Sequence, residues 1–387
     1  MAVALASSPA VATAGEGETP LAATMAALDA AVPALLERHH VPGVSIAVLA
    51  DGAVLARGHG TADAATGRSV GADDAFQAAS ISKAMAALLA LRLVDQGRLD
   101  PDAPIAAILA DVAIPHGPFD LEGVTIARLL AHTAGLDVPG YQGFPAGKEV
   151  QTVRESIAGA SDAGGAALAV VTAPGEAFHY SGGGYALLEL AIERASGTTF
   201  AEAARTLLFE PLDMAASSFP SDRDVPSRAV AVHDASGRPV RPHRFAVAAA
   251  AGLWSTAPDL ARSLAGLAAA FRGEPDALWS QATAMRMLFP AAATENAVVF
   301  EDARWGLGLG LVRTDRGALL AFHPGDNPPG WHALVALLPE TGDGFALLSN
   351  GDGGRVLRME LVCLWLALGS AGSLPDCADP AASPGAR

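Results

Sequence analysis

The stretch Phe76-Gln77-Ala78-Ala79-Ser80-Ile81-Ser82-Lys83 places a hydroxyl and an amine three residues apart, at the head of an Ala/Leu-rich run that continues to Leu93. That run predicts a buried helix, which would set Ser80 and Lys83 one turn apart on the same face. A nucleophile and its proton acceptor would then be neighbours. Of the 25 Lys+Arg residues only Lys83 and Lys148 are lysines. Arginine keeps its proton, whereas a desolvated lysine can lose it and act as a base. The competing reading makes Ser80 a helix N-cap and Lys83 a solvated first-turn residue, although a cation there opposes the helix dipole. From this stretch alone both readings stand.

Three more stretches could carry chemistry. Tyr180 lies in Phe178-His179-Tyr180-Ser181-Gly182-Gly183-Gly184-Tyr185, ahead of an apolar helix expected from Tyr185. Beside a lysine cation its phenolate would be favoured, which makes a base of it; otherwise it packs a loop onto the core. His323-Pro324-Gly325-Asp326 follows a strand at 318–322. The proline removes a ladder donor, so an edge strand able to accept a substrate backbone is expected, with a Pro-Gly turn after it. A surface histidine is the alternative. Gly67-Arg68-Ser69-Val70-Gly71 matches the G-x-S-x-G nucleophile elbow, but no buried strand precedes it and no helix pattern follows, so it reads as a chance match. Gly306-Leu307-Gly308-Leu309-Gly310 lacks the spacing and helix of a nucleotide loop and reads as a Gly-rich strand.

Positioning these groups requires a scaffold whose pattern changes along the chain. Residues 1–20 are Ala/Ser/Gly/Glu-rich and are expected to form a disordered leader. A helix at 21–40 is followed by a hairpin, with Asp51-Gly52 as its turn. Helical patterns dominate from Ile81 to Leu212, and 219–244 reads as a long surface loop. After a helix at 256–271, short strands at 305–312, 318–322, 331–338 and 345–349 precede a closing helix at 355–368. Strands at both ends with helices between predict an α+β fold, its antiparallel sheet built from both chain ends and flanked by helices, with a helical insertion. The expected layout is one catalytic domain at 21–387, a helical lobe at about 81–240 being inserted into an α/β sandwich of about 21–80 and 241–370.

Composition narrows the function. A net charge of −16 argues against nucleic acid or an anionic membrane surface as partner. Cys363 and Cys377 make neither a disulfide framework nor a Cys-x-x-Cys metal pair, and no metal or cofactor is expected. No apolar run reaches the ~18 residues of a membrane span. The Ala-x-Ala-like Val11-Ala12-Thr13-Ala14 lacks a basic n-region before it, so a cytoplasmic location is expected, with secretion or the periplasm as the alternative.

Taken together, Val41-Pro42-Gly43-Val44-Ser45-Ile46-Ala47-Val48, residues 76–83, Leu129-Leu130-Ala131-His132-Thr133-Ala134-Gly135-Leu136, residues 180–185, Pro211-Leu212-Asp213-Met214, Ala251-Gly252-Leu253-Trp254-Ser255-Thr256 and residues 323–330 resemble the serine beta-lactamase and penicillin-binding-protein superfamily. The similarity is greatest to the class C-like branch with its family VIII esterases. It implies a beta-lactamase/transpeptidase-like fold with an all-helical lobe, Ser80 as acyl-accepting nucleophile, Lys83 as activator and Tyr180 as partner base. The Ser80 and Asp326 N–H groups would form the oxyanion hole, and Tyr141, Gly182, His323 and Gly325 would contact substrate. Two positions depart from the lactamase pattern: Gly182 stands where asparagine is usual, and His323 where lysine is usual. The expectation is therefore a carboxylic esterase acting on a small-molecule ester through an acyl-enzyme. The alternatives are a beta-lactamase, a D-amino-acid peptidase, an acyltransferase or thioesterase, or a silent ligand-binding homologue.

Overall fold

The computed structural model describes residues 19–115, 117–159, 166–220, 225–293 and 300–383. Helix α1 (Pro20–His39) begins where the Thr19 hydroxyl accepts the Ala22 N–H at 3.3 Å. The rest of the expected leader lies outside the described residues. Strands β1 (Gly43–Ala50) and β2 (Ala53–Asp63) form the expected hairpin, because Asp51 and Gly52 both take the positive φ of a two-residue turn. After β3 (Arg68–Ser69) and β4 (Phe76–Ala79) come helices α2 (Ile81–Asp95), α3 (Ile105–Ile108), α4 (Ile126–Leu130), α5 (Val153–Ala158), α6 (Gly182–Ser196) and α7 (Phe200–Ala204). The chain continues through β5 (Val232–His233), β6 (Pro239–Val240), α8 (Ala248–Ala251), β7 (Leu253–Ser255), α9 (Ala257–Arg272) and α10 (Gln281–Met287). It finishes with β8 (Ala292–Ala293), β9 (Arg304–Trp305), β10 (Gly310–Arg313), β11 (Leu319–Asn327), β12 (Trp331–Leu338), β13 (Asp343–Ser349) and α11 (Gly354–Leu368).

Nine strands form one antiparallel sheet in the order β3-β2-β1-β13-β12-β11-β10-β9-β8. The two ends of the chain meet inside it, Val44 opposite Ser349 and Leu49 opposite Gly344. Alternation assigns the faces. Val44, Ile46, Val48, Leu334, Ala336, Phe345 and Leu347 point into a core shared with α1 and α11. Ala47, Leu49, Ala333, Val335, Leu337, Ala346 and Leu348 point into the larger core shared with α2, α6 and α9. Covering both faces explains why β1 and β12 read as continuous apolar runs.

Several expectations need correction. The 219–244 segment is not simply a surface loop: within it β5 and β6 pair, and His233 is fully buried, its N–H bonded to the Asn350 carbonyl. Residues 306–309 form a bend between β9 and β10 rather than a strand, with Gly308 at positive φ. Helix α6 starts at Gly182 instead of Tyr185, and Gly197 at positive φ ends it. Cys363 and Cys377 are joined in a disulfide with their Cα atoms 5.4 Å apart, because the turn after α11 folds the tail back along it. Helix α1 has the length and apolar composition of a membrane span; its Met25, Leu28, Val32, Leu35 and Leu36 are buried in the core beneath the sheet.

Candidate active site

Strand β4 delivers Ser80 to the start of α2 through Ala79, whose φ of +50° is left-handed. A non-glycine residue there carries local strain of about 1–3 kcal/mol, a common mark of functional turns. Ser80 occupies the N-cap position, yet its side chain makes no capping hydrogen bond. Its Oγ instead lies 3.2 Å from Lys83 Nζ. The N-cap reading of the sequence therefore holds for the backbone and fails for the hydroxyl. Lys83 is 2% exposed and donates to the Ala250 carbonyl at 2.8 Å. Burial without a carboxylate partner pulls its amine down to about 7, so a large fraction is neutral at physiological pH.

Tyr180 arrives from the segment before α6, with Lys83 Nζ 5.1 Å from its ring centroid. Burial pushes its phenol up, a hydrogen bond with Ser80 opposes this, and the Asp326 charge adds to the rise. The expected phenolate is therefore not favoured, since the lysine that was to stabilise it is itself driven toward neutrality. His132 holds the Tyr180 segment from both sides. Its carbonyl accepts the His179 N–H at 2.7 Å, its Nδ1 accepts the Ser181 N–H at 3.0 Å, and its ring lies 4.3 Å from the Tyr180 ring. An accepting Nδ1 places the ring proton on Nε2.

Strand β11 supplies Asp326. It runs through Pro324 to Asn327 with no Pro-Gly turn. Within the sheet it is internal, but β10 pairs only with Leu319 to Phe322, so the half from His323 to Asn327 pairs with β12 alone. The expected edge thus exists over half a strand, and the proline sits where β10 has already ended. A Cβ on Gly325 would lie 2.5 Å from the Ala78 carbonyl oxygen, so glycine is what lets β11 close against the strand leading to Ser80. The Asp326 carboxylate turns to α11: its Oδ1 is 2.9 Å from Arg358 and 2.5 Å from His332, and 3.4 Å from Arg355. Burial would raise this acid, but Arg358 foremost, with His332 and Arg355, holds it well below the usual carboxylate range.

Ser80, Lys83, Tyr141, Tyr180, Asp326 and Arg355 share the wall of one cleft of about 760 Å³. Three of the positions expected to contact substrate are absent from that wall. Gly182 is buried, with a would-be Cβ 3.1 Å from Gly140 Cα and 3.3 Å from the Pro139 oxygen, so a side chain there would press that main chain back by a few tenths of an ångström. Gly325 is buried at the strand contact just described. His323 is fully buried, and burial, then the nearby Lys83 charge, lowers its imidazole to about 3, which keeps it neutral. Ser69 lies exposed on β3, outside the cleft.

Sequence reasoning missed His132, Ala250 and Asn327 as parts of the site. His132 sits inside a stretch whose apolar neighbours gave no sign of its contacts, and Ala250 acts only through its carbonyl. Asn327 links the two halves of the cleft, donating to Gln77 at 3.2 Å and to the Ala251 carbonyl at 3.0 Å.

A serine and a buried lysine on one helical turn, set between a helical layer and an antiparallel sheet, define the class. The family profile described as Beta-lactamase matches residues 28–361, and the chain belongs to that family. Penicillin-binding protein 4 of Amycolatopsis lactamdurans is 32% identical over 181 residues, covering 47% of this chain and 45% of that one. Esterase EstB of Burkholderia gladioli is 34% identical over 235 residues, 57% of this chain and 58% of that one. The chain thus spans about half the length of these curated relatives. The octameric penicillin-binding protein homologue from Pyrococcus abyssi superposes with a TM-score of 0.75 at 26% identity, covering 92% of this chain and 80% of that chain. A class C beta-lactamase structure, 17% identical with a TM-score of 0.71 over 91% of this chain and 98% of that one, shares the fold.

Proposed function

We propose that the protein is a serine hydrolase that cleaves carboxylic esters through an acyl-enzyme on Ser80. The observation that carries this reading is the 3.2 Å approach of Lys83 Nζ to Ser80 Oγ, with the amine poised near neutrality. Neutral Lys83 takes the Ser80 proton as Oγ attacks the acyl carbon. The tetrahedral oxyanion is received by the Ser80 and Asp326 N–H groups. Tyr180, as a neutral phenol, relays the proton from Lys83 to the departing alkoxide. Water then attacks the acyl-enzyme, giving its proton back through the same groups as Ser80 leaves.

Ester preference rests on the two departures. Neutral His323 supplies no cation for an anionic lactam, and Gly182 offers no side-chain amide, with the Pro139–Gly140 main chain close against it. An alkoxide leaves more readily than an amine, so an ester asks less of the relay. A graded series of p-nitrophenyl esters, run beside nitrocefin and D-Ala peptides with intact-mass detection of an adduct on Ser80, tests the reading. Efficient ester turnover with a Ser80 adduct is expected. Equal turnover of nitrocefin would overturn the preference, and no adduct would overturn the mechanism.

For location, the Cys363–Cys377 bridge favours the secreted or periplasmic alternative over the cytoplasmic location expected from the sequence. Maleimide titration of the denatured, unreduced protein from its own host should find no free thiol. Two free thiols would return the protein to the cytoplasm.

A further inference from the structure

We infer that Glu189 is a positioning residue for Lys83, acting through helix α8 and without touching the reacting atoms. This rests on the reading above that Lys83 activates Ser80. Glu189 lies in the middle of α6, 5% exposed, and its Oε2 accepts the Ala249 N–H at 2.8 Å. Helix α8 is four residues long, and Val247 at its N-cap has no side-chain oxygen to offer. The Ala250 and Ala251 N–H groups return to the Val247 carbonyl, which leaves those of Ala248 and Ala249 as the unpartnered donors of the first turn. The Glu189 carboxyl accepts that of Ala249 and faces that of Ala248, capping α8 from a neighbouring helix.

The other end of α8 grips the site. The Ala250 carbonyl accepts Lys83 Nζ at 2.8 Å, and the Ala251 carbonyl accepts Asn327 Nδ2 at 3.0 Å. Asn327 follows Asp326 on β11, so one short helix ties the lysine to the strand that carries the second oxyanion N–H. Burial raises the Glu189 acid to about 8, with Glu193 adding to the rise and the α8 N–H groups opposing it. At neutral pH the group is mostly an uncharged acid. It fixes the cleft wall without placing a negative charge that would return the proton to Lys83.

The test compares Glu189→Gln, Glu189→Leu and Glu189→Met by the rate of Ser80 labelling with a fluorophosphonate, by kcat and KM for p-nitrophenyl acetate, and by Tm. The glutamine carbonyl still accepts the Ala249 N–H, so that variant should stay within about 3-fold of wild type. Leucine and methionine cannot, and should lower labelling and kcat by about 10–100-fold with KM little changed, as expected for a catalytic group displaced by a fraction of an ångström. Their Tm should fall modestly, because the buried Ala249 N–H loses its acceptor, so rates are compared on folded protein well below that Tm. Wild-type labelling rates in the folded leucine or methionine variant would overturn the inference. So would a glutamine variant as slow as leucine, or a failure of both apolar variants to fold, which would make Glu189 a structural cap. Failure of the wild type itself to label would instead overturn the proposed function.

Discussion

Ser80 and Lys83 belong to the first turn at the head of α2, and their spacing follows from helix geometry alone, whereas Tyr180 and Asp326 are brought to them from the segment before α6 and from β11 by contacts distant in sequence. The first side of the cleft depends on its own functional groups, with Lys83 Nζ steadied from outside the turn by the Ala250 carbonyl. The second can be detuned by changing what holds it: His132 around Tyr180, and Arg358 with His332 beneath Asp326. In the proposed mechanism the nucleophile and its base are local, and their alignment with the other groups is not.

The largest expected effect is on the local side. Ser80→Ala should abolish labelling and lower ester turnover by about 10⁴-fold or more, while Ser69→Ala leaves both unchanged. An adduct on Ser69 would break the comparison outright.

Lys83→Arg keeps the charge and loses the base, so a fall of about 10²–10⁴-fold in acylation rate is expected. The pH profile gives the sign. With an amine near 7, the competent neutral form is lost as pH falls through 7, so the wild-type rate should decline on the acid side and level off above it. A profile flat from pH 5.5 to 8.5, or unchanged in Lys83→Arg, would mean that Lys83 supplies only charge.

On the assembled side, Tyr180→Phe should cost about 10²-fold in both acylation and deacylation, read by single-turnover kinetics. His132→Leu should approach that loss. His132→Asn should recover part of it, because asparagine can accept the Ser181 N–H and tolerates the left-handed φ of +58° at this position. If leucine proves as good as asparagine, His132 only fills space, and the two sides of the cleft are less different than stated.

Gly182→Asn should affect activity least. Its side chain must displace the Pro139–Gly140 main chain, an overpacking of about 1–3 kcal/mol visible as a lower Tm. Nitrocefin turnover should not appear. A gain of lactam turnover at unchanged Tm would show that the cleft wall yields more easily than its close contacts imply.

How much of this was legible from sequence follows the same division. The Ser80–Lys83 turn, the hairpin and the closing meander were readable because their signals are local: a three-residue spacing, an Asp-Gly turn, alternation. Strand β11 was expected to stop at Phe322, since Pro324 and Gly325 normally break strands. The ladder survives because β10 ends before the proline and because the glycine is needed against Ala78. His323 reads as polar and therefore exposed; in the fold it is buried and uncharged. Gly182 reads as a gap, and only the fold reveals the loop close against it. The cysteines, 14 residues apart in sequence, pair because α11 is followed by a turn that no pattern announced.

The position of β1 has a consequence for how the chain is made. Its neighbours in the sheet are β2, which emerges from the ribosome at once, and β13, which emerges roughly 300 residues later. At ~5–20 residues per second, an apolar hairpin edge waits roughly 15–60 s for its partner, while the helices between can already collapse. An unpaired edge of that kind is a template for other chains. Yield during synthesis is therefore set by what shields β1 over that interval, and the stability of the finished sheet has no influence on it.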